Sequence, residues 1–199
     1  MLTSRGYPRS DINLPNALTL GRIAAVPVFV LVLYFLDGAL ARWTAFAVFA
    51  LASFTDWLDG HLARALQQQS RFGAMLDPIA DKLLVAAALL MLVADNTISG
   101  VNVFAALIIL SREILVSGLR EFLATLNVKV AVTTLAKWKT AIQMIAIALL
   151  IIAPALAAAL PLLLPLGVGL LWIAALLTLW TGSDYFRAAI HHASSSNGS

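Results

Sequence analysis

Cysteine is absent from the 199 residues. Disulfides and thiolate-held metals are therefore excluded, and the redox state of the compartment cannot be read. Charge is scarce too: 12% of residues are Asp, Glu, Lys or Arg, while 61% are hydrophobic. Soluble domains carry about 25% charged residues, and a soluble core of this size could not hide so much apolar surface. No stretch alternates with the period of two that marks a half-buried strand. No internal repeat and no Pro- or Gly-rich linker divides the chain. These absences leave one all-α integral membrane domain, expected over 1–190, with a Ser-rich, disordered tail at 191–199.

Six apolar runs are present, at about 17–36, 40–66, 74–94, 101–126, 135–153 and 162–190. A spanning helix needs about 20 residues, so each run is read as a transmembrane helix. The polar segment 10–16 is read as a short interfacial element. The formal charge of +3 does not point to nucleic acid, because the basic residues sit at the ends of apolar runs rather than on one face. Twelve of the thirteen Lys and Arg fall at the N-terminus, at 64–82, at 112–139 or near the C-terminus, and only Arg42 lies on the other side. The positive-inside rule makes the basic side cytoplasmic. Both termini then face the cytoplasm.

One stretch breaks the apolar pattern. It runs Asp56-Trp57-Leu58-Asp59-Gly60-His61-Leu62-Ala63-Arg64, then eight residues, Gly73, Asp77 and Asp81. Charge at bilayer depth is costly and marks function by default. At about 100° per residue, Asp56, Asp59, Gly60, Ala63 and Arg64 share one helix face. Asp77 and Asp81, four apart, stack on one face of the next helix. The short turn between the two helices makes them antiparallel neighbours, so four carboxylates are expected to converge.

Such a cluster cannot stay unpaired, and Arg64 neutralises one carboxylate at most. Hard divalent cations, Mg²⁺ or Mn²⁺, take oxygen ligands together with phosphate oxygens. Two of them would clamp a displacement at phosphorus. Asp81 is the candidate to accept a proton from an attacking hydroxyl. Gly60 and Ala63 leave room for a ligand against the backbone, and the planar fork of Arg64 suits a phosphate. The alternative is structural pairing of the aspartates with Arg64, Arg71 and Lys82. A cation or proton carrier is a rival of another class, but it wants charge near the midplane of inverted repeats, and no repeat is visible here.

The pattern Asp-x2-Asp-Gly-x2-Ala-Arg-x8-Gly-x3-Asp-x3-Asp resembles that of the CDP-alcohol phosphatidyltransferases, with all eight fixed positions matched. The resemblance implies six transmembrane helices, a homodimer in a bacterial cytoplasmic membrane, and two divalent cations on Asp56, Asp59, Asp77 and Asp81, with Asp81 also the general base. It implies a CDP-diacylglycerol site of Asn16, Thr19, Asp56, Gly60, Ala63, Arg64, Ser70 and Gly73. The flanks are similar to members that use sn-glycerol 3-phosphate as acceptor, in Asn13-Leu14-Pro15-Asn16-x2-Thr19-x2-Arg22, Arg112-Glu113-Ile114-x2-Ser117-Gly118-Leu119-Arg120-Glu121 and Lys137-x-Lys139-Thr140-x2-Gln143-Met144. Serine, inositol phosphate and phosphatidylglycerol are the alternative acceptors within the family.

Such an acceptor carries a dianionic phosphate and needs cations of its own. Arg112 and Arg120, eight apart on one helical face, and Lys137 across the next turn are the candidates. Lys129 and Lys139 are expected to be headgroup anchors that snorkel to the interface. Glu113 and Glu121 are expected to pair with neighbouring arginines.

Overall fold

A computed structural model describes the backbone of residues 14–66, 71–126 and 134–196, and the side chains of 17–55, 76, 79–123, 126, 135 and 138–183. The interfacial element expected at 10–16 falls largely outside this range, as do the turns at 67–70 and 127–133. The described chain forms six α-helices: α1 (Leu14–Phe35), α2 (Gly38–Leu66), α3 (Arg71–Ala94), α4 (Asn102–Thr125), α5 (Thr134–Ile152) and α6 (Leu163–Ser196). No strand occurs among the described residues. Five of the helices contain segments long and apolar enough to cross a membrane: 17–35, 38–55, 102–123, 138–156 and 163–183.

Helix ends follow local chemistry. Pro15 sits in the first turn of α1, where its missing N–H costs nothing. Gly38 opens α2 at φ +75°, a left-handed conformation that glycine adopts readily. After α3, Asn96 takes φ 61° and the chain folds back, so that the Ile98 amide donates to the Leu92 carbonyl at 2.8 Å. Pro154 starts a short 3-10 turn, Ala153–Leu156, that ends α5. At the other end of the chain, α6 extends past Ile190 through Ser196. Most of the segment expected to be a disordered tail is therefore helical, because neither Pro nor Gly interrupts it before Gly198.

Helix α1 packs along both α2 and α3, and α6 packs between α4 and α5. Contacts of α2 with α5, and of α3 with α4 and α5, join the two halves. Small residues permit these approaches. Ala41, Ala45, Phe49 and Ala52 form the buried face of α2, and Ala174 and Ala175 lie on that of α6. Phe29 and Phe49 meet with ring centroids 6.3 Å apart. The outer surface is apolar by contrast: Leu31, Tyr34, Leu51, Leu90, Phe104 and Leu176 are all exposed. Apolar residues both inside and outside are what a lipid solvent allows.

One ion pair marks the end of the bundle opposite the motif. Arg42, in the first turns of α2, lies 2.9 Å from Asp95, just beyond α3. Asp95 Oδ1 also accepts from the Thr97 amide at 2.9 Å. The start of α2 is thus tied to the end of α3, and the two helices run antiparallel.

Candidate active site

Helix α1 brings two polar side chains into the apolar interior. Thr19 and Arg22 are 1% and 2% exposed, and they are three residues apart on one helical face. Arg22 reaches across to α3, where its Nη1 donates to Asp81 Oδ1 at 2.6 Å. The arginine side chain is 1% exposed and that of Asp81 is 46% exposed. A sealed guanidinium therefore grips a carboxylate that faces outward. Charge-assisted bonds of this kind are short and strong.

Of the four aspartates read as metal ligands, only Asp81 has a described side chain. Helix α2 runs unbroken through Asp56, Asp59, Gly60, Ala63 and Arg64, and α3 through Gly73 and Asp77. Their side chains lie outside the described residues, as does that of Asn16. Ser70 lies outside altogether. Thr19 stands one turn from Arg22 on α1.

A second polar cluster joins α4, α5 and α6. Arg112 Nε donates to the Thr178 carbonyl at 3.1 Å, and Nη2 donates to Thr181 Oγ1 at 3.1 Å. The Thr181 hydroxyl in turn donates to the Leu177 carbonyl at 2.9 Å. Arg112 Nη1 lies 3.4 Å from Glu113 Oε1, which also takes a hydrogen bond from Lys139. Gly182 lies against this arginine: a Cβ there would stand in ordinary contact, 3.5 Å from the Arg112 side chain.

This arrangement corrects the reading of Lys139 as a headgroup anchor. Lys139 is 3% exposed and its ammonium bonds Glu113 across the helices. It shares a buried face of α5 with Gln143, Ala146, Ile147 and Leu150. A lysine held on that face cannot snorkel outward. Glu113 does contact a neighbouring arginine, as expected, but its shorter contact is to Lys139. Of the three cations assigned to the acceptor phosphate, Arg112 is bound to α6, Arg120 is exposed, and the side chain of Lys137 lies outside the described residues.

Sequence reasoning assigned Arg22 no role. The available signal was an arginine inside an apolar run, which is expensive wherever it lacks a partner. What it could not supply was the partner on α3.

The sequence model of the CDP-alcohol phosphatidyltransferase family matches residues 12–180. A CDP-diacylglycerol–glycerol-3-phosphate 3-phosphatidyltransferase of Rickettsia bellii is 49% identical over 178 residues, covering 89% of this chain and 96% of that protein. The enzyme of the same name from Rickettsia prowazekii is 46% identical, with 90% and 97% covered. A plant relative from Arabidopsis thaliana, also so named, is 42% identical, with 88% and 79% covered. The matched region takes in Arg22, the whole aspartate motif and the Arg112–Lys139 cluster, and on that basis the chain belongs to the CDP-alcohol phosphatidyltransferase family.

Proposed function

We propose that this protein transfers the phosphatidyl group of CDP-diacylglycerol to sn-glycerol 3-phosphate, giving phosphatidylglycerophosphate and CMP in phospholipid biosynthesis. The observation that carries this reading is near full-length identity of 46–49% to enzymes named for that reaction. The complete aspartate motif and the outward-facing Asp81 carboxylate agree with it.

In the proposed reaction an acceptor hydroxyl attacks the lipid-side phosphorus. A new P–O bond to glycerol phosphate forms, the P–O bond to the CMP phosphate breaks, and CMP leaves. Asp81 accepts the hydroxyl proton. Arg64 would bind the diphosphate through its fork, while Gly60 and Ala63 let the nucleotide approach the α2 backbone. Asn16, Thr19, Ser70 and Gly73 complete the CDP-lipid site. Arg120, Lys137 and the edge of Arg112 would receive the acceptor phosphate.

Asp56, Asp59, Asp77 and Asp81 offer only carboxylate oxygens, the donor type of a hard divalent cation, and would hold two Mg²⁺ or Mn²⁺ ions. Bound there, such ions supply neutralisation of the diphosphate charge. The Arg42–Asp95 tie bears on the level of Asp56 and Asp81 along their helices. Asp56 and Asp81 each lie fourteen residues from it along antiparallel helices, a rise of about 21 Å on both. The two positions therefore stand at one level.

In this reading α3 is the sixth span. It has 24 residues, about 36 Å of helix. Both termini and the site face the cytoplasm of a bacterial inner membrane, and the enzyme works as a homodimer. The deciding assay is CMP release from CDP-diacylglycerol with each acceptor in turn. Release that depends on glycerol 3-phosphate supports the assignment. Release driven by serine, inositol phosphate or phosphatidylglycerol instead would reassign the acceptor.

A further inference from the structure

Arg22 poses a physical problem that the reaction scheme leaves open. A guanidinium with 1% of its side chain exposed is costly inside an apolar helix pair, and its carboxylate partner is not sealed with it. A pair serving only to hold α1 against α3 could be replaced by two apolar side chains at little or no cost. Here the cation is buried and the anion is half-exposed. We propose that Arg22 is a positioning residue for Asp81. It fixes the carboxylate through Oδ1, and its positive charge weakens divalent cation binding at the aspartate cluster. This role rests on the reading of Asp81 as base and cation ligand.

Three features support it. First, the guanidinium lacks water to swing into, so it stays beside Asp81 when the cluster is occupied. Second, the 2.6 Å bond sets the direction of the carboxylate from the α1 side, and placement of a reacting group is worth large factors in rate. Third, a fixed positive charge beside a cation site opposes cation binding by Coulomb repulsion. Removing the arginine should therefore push two measurable quantities in opposite directions. Loss of a merely structural contact would lower both.

The test uses the full-length protein in detergent, with Mn²⁺ binding followed by electron paramagnetic resonance and turnover by CMP release. Mn²⁺ should bind the wild-type protein. Arg22→Gln should bind it more tightly, by about threefold or more, while kcat falls about tenfold to a hundredfold. KM for CDP-diacylglycerol should change far less than kcat. Arg22→Lys keeps the charge without the fork. It should restore wild-type Mn²⁺ affinity and recover only part of kcat. Weaker Mn²⁺ binding in parallel with lower turnover in Arg22→Gln would overturn the proposal. If that variant does not fold, Arg22→Lys decides alone: full wild-type turnover would overturn the positioning role, and reduced turnover at unchanged Mn²⁺ affinity would support it. A wild-type protein that binds no Mn²⁺ while releasing CMP would instead remove the cation reading, and the charge-balancing role with it.

Discussion

Arg22 Nη1 and Asp81 Oδ1 stand 2.6 Å apart, although 59 residues separate them in the chain. That contact joins the first helix to the acidic end of the third. Asp81 is therefore a half-exposed carboxylate oriented by a buried cation.

Asp81→Asn keeps the size of the side chain and removes its capacity to take a proton. We expect turnover to fall by about a thousandfold, in line with the usual worth of a general base. Binding of CDP-diacylglycerol should change far less than turnover, while the unfolding temperature should fall, because the sealed Arg22 guanidinium loses the Asp81 charge. Near-normal CMP release from this variant would remove the base assignment.

Chelation should stop the reaction. With EDTA, CMP release should fall to background and return on addition of Mg²⁺ or Mn²⁺, because carboxylates alone cannot screen a diphosphate. Activity that persists after exhaustive chelation would exclude a divalent cation from the mechanism.

The Glu113–Lys139 pair predicts a double-mutant cycle. Glu113→Gln leaves the buried Lys139 ammonium without its counter-charge, at a cost of about 3 kcal/mol. Lys139→Met should cost less, because Glu113 is 22% exposed and retains Arg112 within 3.4 Å. The double variant should recover most of the loss suffered by Glu113→Gln. Thermal unfolding in detergent reads this directly. Additive losses would mean that the two side chains do not interact.

Two glycines of α6 should respond differently to the same change. A Cβ at Gly167 would stand 3.0 Å from Leu150 Cγ and Cδ2, whereas one at Gly169 meets nothing within 4 Å. Leu150 is fully buried, so Gly167→Ala should destabilise by about 1 kcal/mol or more through overpacking. Gly169→Ala should be neutral or slightly stabilising, since alanine is the better helix former. Equal unfolding temperatures for the two variants would contradict the α5–α6 packing described.

Much of this was legible in the chain. The apolar runs locate six helices, all but the end of the last to within a few residues, because length and turn chemistry are local properties. The aspartate spacing was equally readable, since helical periodicity converts it into faces. Arg22 was not, because its partner lies two helices away and no local pattern names it. Lys139 is ambiguous in sequence for a related reason. A lysine near a helix start has the same sequence signature whether it reaches headgroups or turns inward to Glu113, and only the packing of α5 decides. The C-terminal end of α6 runs on through the serine-rich stretch to Ser196, because composition alone does not stop a helix that meets no breaker.

The reach of Arg22 also bears on how the chain is assembled. During synthesis α1 enters the bilayer long before α3 has been made. For that interval its guanidinium has no Asp81 to meet. It lies only five residues past Ala17, where the apolar segment begins, a depth at which an unpaired arginine is costly, though less so than at a helix centre. The apolar residues from Ala17 to Phe35 must hold it in the bilayer unaided. The contact that orients the carboxylate is thus also a late checkpoint: it closes only once half the protein is in place.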